Sequence, residues 1–184
     1  MSVHEDFVDG ELHDDIGYVI LTVPLVSSLI GTVQPIKPFS ADEQVEPDTF
    51  CITVGCLKMS SSTWSSIGSL PIVQARVSSK EKCENQKISE LVGLGSRFGL
   101  GSFATSPSTG YFCANKTCDF LSLLGSCARD SGSPLICPDA SGNLKVAGVR
   151  HSSANCFFRD IQSNSIDMYT DLSYYTGYIT GRKK

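Results

Sequence analysis

The stretch Cys127-Ala-Arg-Asp-Ser-Gly-Ser-Pro-Leu-Ile-Cys137 sets a serine between an acid and a glycine, inside a segment bracketed by two cysteines. Gly132 can adopt backbone angles closed to other residues, and Pro134 fixes φ at the entry to Leu135 and Ile136. Ser131 is therefore expected to project from a tight turn at the mouth of an apolar strand. Such a turn presents a nucleophile, or it is ordinary Asp-Ser-Gly turn chemistry.

The rest of the chain reads as all-β. Ile16-Gly-Tyr-Val-Ile-Leu-Thr-Val23 is β-branched and apolar enough for a buried strand, ended by Pro24. Phe50 to Gly55, Pro71 to Val77 and Tyr111 to Cys113 are further strand candidates, and Ser133 to Cys137 with Leu144 to Val149 form a hairpin around Pro138 to Asn143. Pro35, Pro38 and Pro47 mark an extended connection between two halves, residues 1–45 and 46–184. Two helical signals interrupt the pattern. Ser78-Ser-Lys-Glu81 resembles a capping box opening a short helix through Cys83, and Leu172, Tyr175 and Ile179 recur at helical spacing near the end.

Charge and cysteine usage exclude several functions. Over 184 residues the formal net charge is -4, and the one basic cluster is Arg182-Lys-Lys184, so no extended nucleic-acid footprint is expected. No apolar run is long enough to span a bilayer, and the acidic opening residues do not form a signal peptide, so no membrane partner is expected. Eight cysteines without paired Cys-x-x-Cys spacing point to disulfides in an oxidising, extracellular compartment, with no metal and no cofactor. Asn115-Lys-Thr117 is a glycosylation sequon.

Cys127, the Asp-Ser-Gly-x-Pro-Leu core and Cys137, followed by Val146-Ala-Gly-Val149, Cys156 and Met168-Tyr-Thr170, resemble the second half of a chymotrypsin/trypsin-like serine endopeptidase in order and spacing. The likeness runs from Val3 to about Ile179. It implies a double β-barrel with an incomplete first barrel, a complete six-stranded second barrel and a short C-terminal helix. Asp15-Ile-Gly-Tyr-Val-Ile-Leu21 is similar to the strand that carries the family's triad aspartate, although a strand-entry turn acid reads the same way. The resemblance makes Ser131 the nucleophile, Asp15 the triad acid, and the backbone N–H groups of Arg129 and Ser131 the oxyanion hole. The family's "Thr-Ala-Ala-His-Cys" segment has no counterpart here, so the base histidine is absent. His4 and His13 read as ordinary surface-loop residues.

Departures from the family pattern gather at the places that carry function. "Gly-Asp-Ser-Gly-Gly" reads Arg129-Asp-Ser-Gly-Ser133, which crowds the oxyanion hole. The substrate-binding strand, "Ser-Trp-Gly" in the family, reads His151-Ser152-Ser153. The specificity pocket would comprise Gly125 at its base, Ser153, and Asp167 in place of a wall glycine, where an acid favours a basic substrate side chain. Asp130 lacks the amino-terminal partner that buries it in active members, so its loop is expected to be exposed or disordered. Family spacing implies disulfides Cys51–Cys137, Cys83–Cys113 and Cys127–Cys156, with Cys56–Cys118 as a fourth. His151 stands where the family keeps a serine beside the triad aspartate, so its ring either pairs with Asp15 or turns to solvent. Two functions stay open. One is a truncated, inactive trypsin-like serine endopeptidase acting on a protein or peptide substrate. The other is a secreted, non-catalytic homologue that binds a protein partner.

Overall fold

A computed structural model describes residues 2–8, 14–22, 34–54, 72–85, 109–116, 131–151 and 166–181. Its strands are β1 (Ser2–Val3), β2 (Gly17–Tyr18), β3 (Phe50–Val54), β4 (Ile72–Val77), β5 (Tyr111–Lys116), β6 (Pro134–Pro138), β7 (Leu144–Arg150) and β8 (Ile166–Asp171). Residues 80–85 are helical, and a single helical turn spans Thr176–Ile179. Strands β3 to β8 close into an antiparallel barrel in the order β3-β4-β5-β8-β7-β6. This is the six-stranded barrel with a short terminal helix that the sequence implied.

Alternation decides which side chains enter the barrel. In β3, Cys51 and Thr53 point inward while Phe50 stays out; in β4, Ala75 and Val77 point inward while Ile72, Gln74 and Arg76 do not. The interior holds Phe39, Cys51, Ala75, Val77, Ala114, Leu135, Cys137, Ala147 and Tyr169. The alanines leave room for Tyr169, whose ring stacks on Phe112 at 6.0 Å, as small barrels require when large and small residues share one core. Thr53 is buried without penalty because its hydroxyl donates to the Pro134 carbonyl at 2.8 Å.

The barrel turns a corner at β7. Leu135 pairs with Gly148 and Ile136 with Val146, leaving Ala147 unopposed as a bulge. A Cβ at position 148 would meet Phe112, the Thr170 carbonyl and Tyr169 at 3.0 Å, so only glycine lets β7 approach β8 there. Cys51–Cys137 links β3 to β6 and Cys83–Cys113 links the 80–85 helix to β5, two of the four pairings expected. Cys127–Cys156 and Cys56–Cys118 lie outside the described residues.

Two local readings are corrected. The cap of the 80–85 helix is Ser79, which accepts from the Lys82 N–H at 3.4 Å, while Ser78 is buried one residue earlier. Among the described residues, the expected strand from Ile16 to Val23 is confined to Gly17–Tyr18, which pairs with Val3 and Ser2 of β1, and Val23 lies outside them. Ile16 is buried in a cluster with Leu172 and Tyr175, flanked by Val146, Val149, Tyr178 and Ile179, whereas Val19, Ile20 and Leu21 stand exposed. The apolar stripe of the terminal turn thus does pack on the barrel, and it seats the front segment as well.

Candidate functional site

The front segment is fastened by its acids. Asp14 sits at φ 57°, a conformation aspartate tolerates better than most residues, and its N–H donates to the Tyr175 hydroxyl at 2.9 Å. That hydroxyl in turn donates to Asp14 Oδ1 at 3.0 Å. Burial pushes the Tyr175 pKa well above the ordinary tyrosine value, so its proton stays in place to make the bond. The next residue is held from behind, since Thr170 Oγ1 donates to the Asp15 carbonyl at 3.0 Å.

With its backbone pinned to β8, Asp15 meets His151. Oδ2 of Asp15 and Nδ1 of His151 form a hydrogen bond, and since an ionised carboxylate can only accept, the ring nitrogen donates. His151 follows β7 directly, and its own N–H donates to the Met168 carbonyl at 2.9 Å. The pairing expected as one of two outcomes for His151 is therefore the one observed.

Ser131 lies on an exposed turn whose second residue, Gly132, has φ 82°. The Gly132 N–H donates to the Arg150 carbonyl at 2.9 Å and the Arg150 N–H to the Ser133 carbonyl at 2.8 Å, which ties the turn beside His151. The structure thus brings Asp15 and His151 into contact with the Ser131 turn alongside, and among the described residues no hydrogen bond joins Ser131 to His151. Gly125, Arg129, Ser152 and Ser153 lie outside the described residues, as does Asp130.

Asp167 is not open to solvent. Arg150 Nη2 donates to its Oδ1 at 2.9 Å, and each side chain is 1% exposed. The expectation that this acid would greet a basic substrate side chain meets a guanidinium already supplied by the chain. Arg150 was missed in the sequence, although an arginine closing the apolar run Val146 to Val149 on an inward-facing position is the signal that finds it.

His4 also departs from its surface-loop reading. Its ring packs against Tyr178 at 4.7 Å and Tyr175 at 5.5 Å between centroids. Ligand atoms of His4, Asp6 and Asp14 lie within 4.8 Å of one another, with His4 Nδ1 already accepting from the Asp6 N–H at 3.3 Å.

A closed six-stranded antiparallel barrel, with a tethered front segment that delivers an aspartate beside a Ser-Gly turn, defines a chymotrypsin-like fold. Among solved structures, the chain is similar to the scabies mite inactivated protease paralogue S-I1, with a TM-score of 0.59 and 16% identity. The match covers 97% of this chain and 64% of that one, so this chain spans less than two thirds of its neighbour's length. No family model and no curated protein matches the sequence.

Proposed function

We propose that this chain is a non-catalytic homologue of trypsin-like serine endopeptidases, a secreted module that keeps the barrel and presents its loops to a protein partner. The observation that carries the reading is the bond between Asp15 and His151. In the family the aspartate orients a base that faces the nucleophile; here an imidazole rising from the end of β7 takes that carboxylate. Entering from the strand that would lie along a substrate backbone, the ring obstructs the peptide it would have to help cleave. Arg150 neutralises the acid of the specificity pocket in the same way, and Arg129 replaces the glycine of the oxyanion hole. The neighbour, an inactivated protease paralogue, fits this reading. Two disulfides are compatible with an extracellular setting. We place the division between the front segment and the barrel module near residue 45.

The test is covalent labelling of the chain with a fluorophosphonate probe, beside hydrolysis of a broad peptide library. No labelling and no cleavage are expected. Labelling that Ser131→Ala abolishes would establish the peptidase reading instead.

A further inference from the structure

The barrel carries a concavity whose described lining includes neither Ser131 nor His151. It has a volume of about 340 Å³, within the usual range for small-molecule sites, and is lined in part by Phe39, Ser78, Tyr111, Phe112, Asp171 and Tyr174. Two of these residues have polar capacity left over. The Ser78 hydroxyl is buried with no hydrogen-bond partner, in a residue only 9% exposed. Buried hydroxyls are ordinarily satisfied, so this one lacks a group that would complete it. Asp171 accepts from the Ser173 N–H at 2.9 Å and the Ser173 hydroxyl at 2.7 Å, both through Oδ1. Among the described residues no cation pairs with Asp171. The other charges at the rim are already matched, Lys80 by Glu84 and Glu43 by Lys145.

The spacing of the two groups follows from the strands. The Ser78 N–H donates to the Cys113 carbonyl and the Asp171 N–H to the Gly110 carbonyl, so the two residues flank β5 three residues apart, roughly 10 Å along the strand. Tyr111, Phe112 and Tyr174 also line the cavity, with Tyr174 half exposed. A carboxylate without a cation, aromatic faces beside it and an unmet hydroxyl at the far end describe a complement to a small aromatic amine.

We propose that this cavity binds an arylalkylamine, with the ammonium at Asp171, the ring among Phe112, Tyr111 and Tyr174, and a polar group on the ring meeting the Ser78 hydroxyl. Because neither Ser131 nor His151 lines the cavity, this proposal and the reading of the Asp15 site stand or fall separately.

The experiment is titration of the whole chain with tyramine by calorimetry and by amide chemical-shift mapping. Phenethylamine, which lacks the ring hydroxyl, and 3-(4-hydroxyphenyl)propionate, which replaces the ammonium with a carboxylate, serve as comparisons. Saturable tyramine binding is expected, with shifts around Ser78, Tyr111 and Asp171, weaker binding of phenethylamine, and none of the propionate. Asp171→Asn should weaken tyramine binding by about tenfold or more. Ser78→Ala removes a hydroxyl that has no partner in the free protein, so it should fold normally and bind tyramine and phenethylamine alike. Equal binding of amine and carboxylate, unchanged affinity in Asp171→Asn, or no binding of either amine would overturn the proposal.

Discussion

Arg150 and Asp167 form a salt bridge at 2.9 Å inside the barrel, between β7 and β8, with neither side chain open to water. Removing one partner leaves the other charge buried, so Arg150→Met or Asp167→Asn alone should cost about 3–5 kcal/mol. Replacing both with apolar residues of similar volume should recover most of that loss. Chemical denaturation of the two single variants and the double variant checks the expectation, and additive losses would refute it.

The contact between His151 and Asp15 is partly exposed, with the side chains at 17% and 34%, and should be worth less. A double-mutant cycle of His151→Ala with Asp15→Asn should return a coupling of about 1 kcal/mol, typical of a hydrogen bond to a charged group after screening. Placing serine at position 151 should not create peptidase activity, because the serine supplies no base. Peptide turnover by the His151→Ser variant would contradict the functional reading.

Lys145 reaches both Glu43 and Asp139, binding the connecting segment to the β6–β7 hairpin. Hydrogen bonding from Lys145 and Ser40 lowers Glu43 from 4.5 to about 2, and the Asn143 N–H leads the lowering of Asp139 from 3.8 to about 2. Depressed carboxylates stabilise the fold above their unfolded pKa values, and that contribution fades as pH falls from about 4 towards 2. The Lys145 pKa is raised, chiefly by Glu43, so its share is present at neutral pH and is lost only on strong alkalinisation. Thermal melts between pH 5 and 2 should show a steeper decline for the parent chain than for Lys145→Met; parallel curves would exclude this linkage.

Val19, Ile20 and Leu21 are 67%, 71% and 61% exposed beside the two-residue strand β2. An apolar run beside so short a pairing is a template for self-association. Ile20→Lys should therefore raise the monomer fraction without lowering the melting temperature, as read by light scattering and calorimetry. Unchanged aggregation would place the sticky surface elsewhere.

The barrel strands were readable because their alternation is carried by residues that must face one way, such as Cys51, Ala75, Val77, Leu135 and Cys137. The Ile16 to Val23 run is shorter as a strand among the described residues for a physical reason: strand propensity states what a segment tolerates, while pairing needs a neighbour, and there only Gly17 and Tyr18 find one, in Val3 and Ser2. At the site, the resemblance placed His151 beside Asp15, but it had no means of choosing between pairing and solvent. Arg150 and Ser78 stayed hidden because their importance comes from what lies across the barrel from them.

The front segment is latched by Asp14 to Tyr175, partners separated by 161 residues, and Ile16 is covered by Leu172 and Tyr175. A ribosome adding 5–20 residues per second needs about 10–30 s to pass between those two positions. For all that time Ile16 has nothing to settle against, and Val19 to Leu21 travel with it uncovered. Anything that shelters nascent apolar segments would have a long appointment with this stretch, and a pause in translation before Tyr175 is added would prolong it.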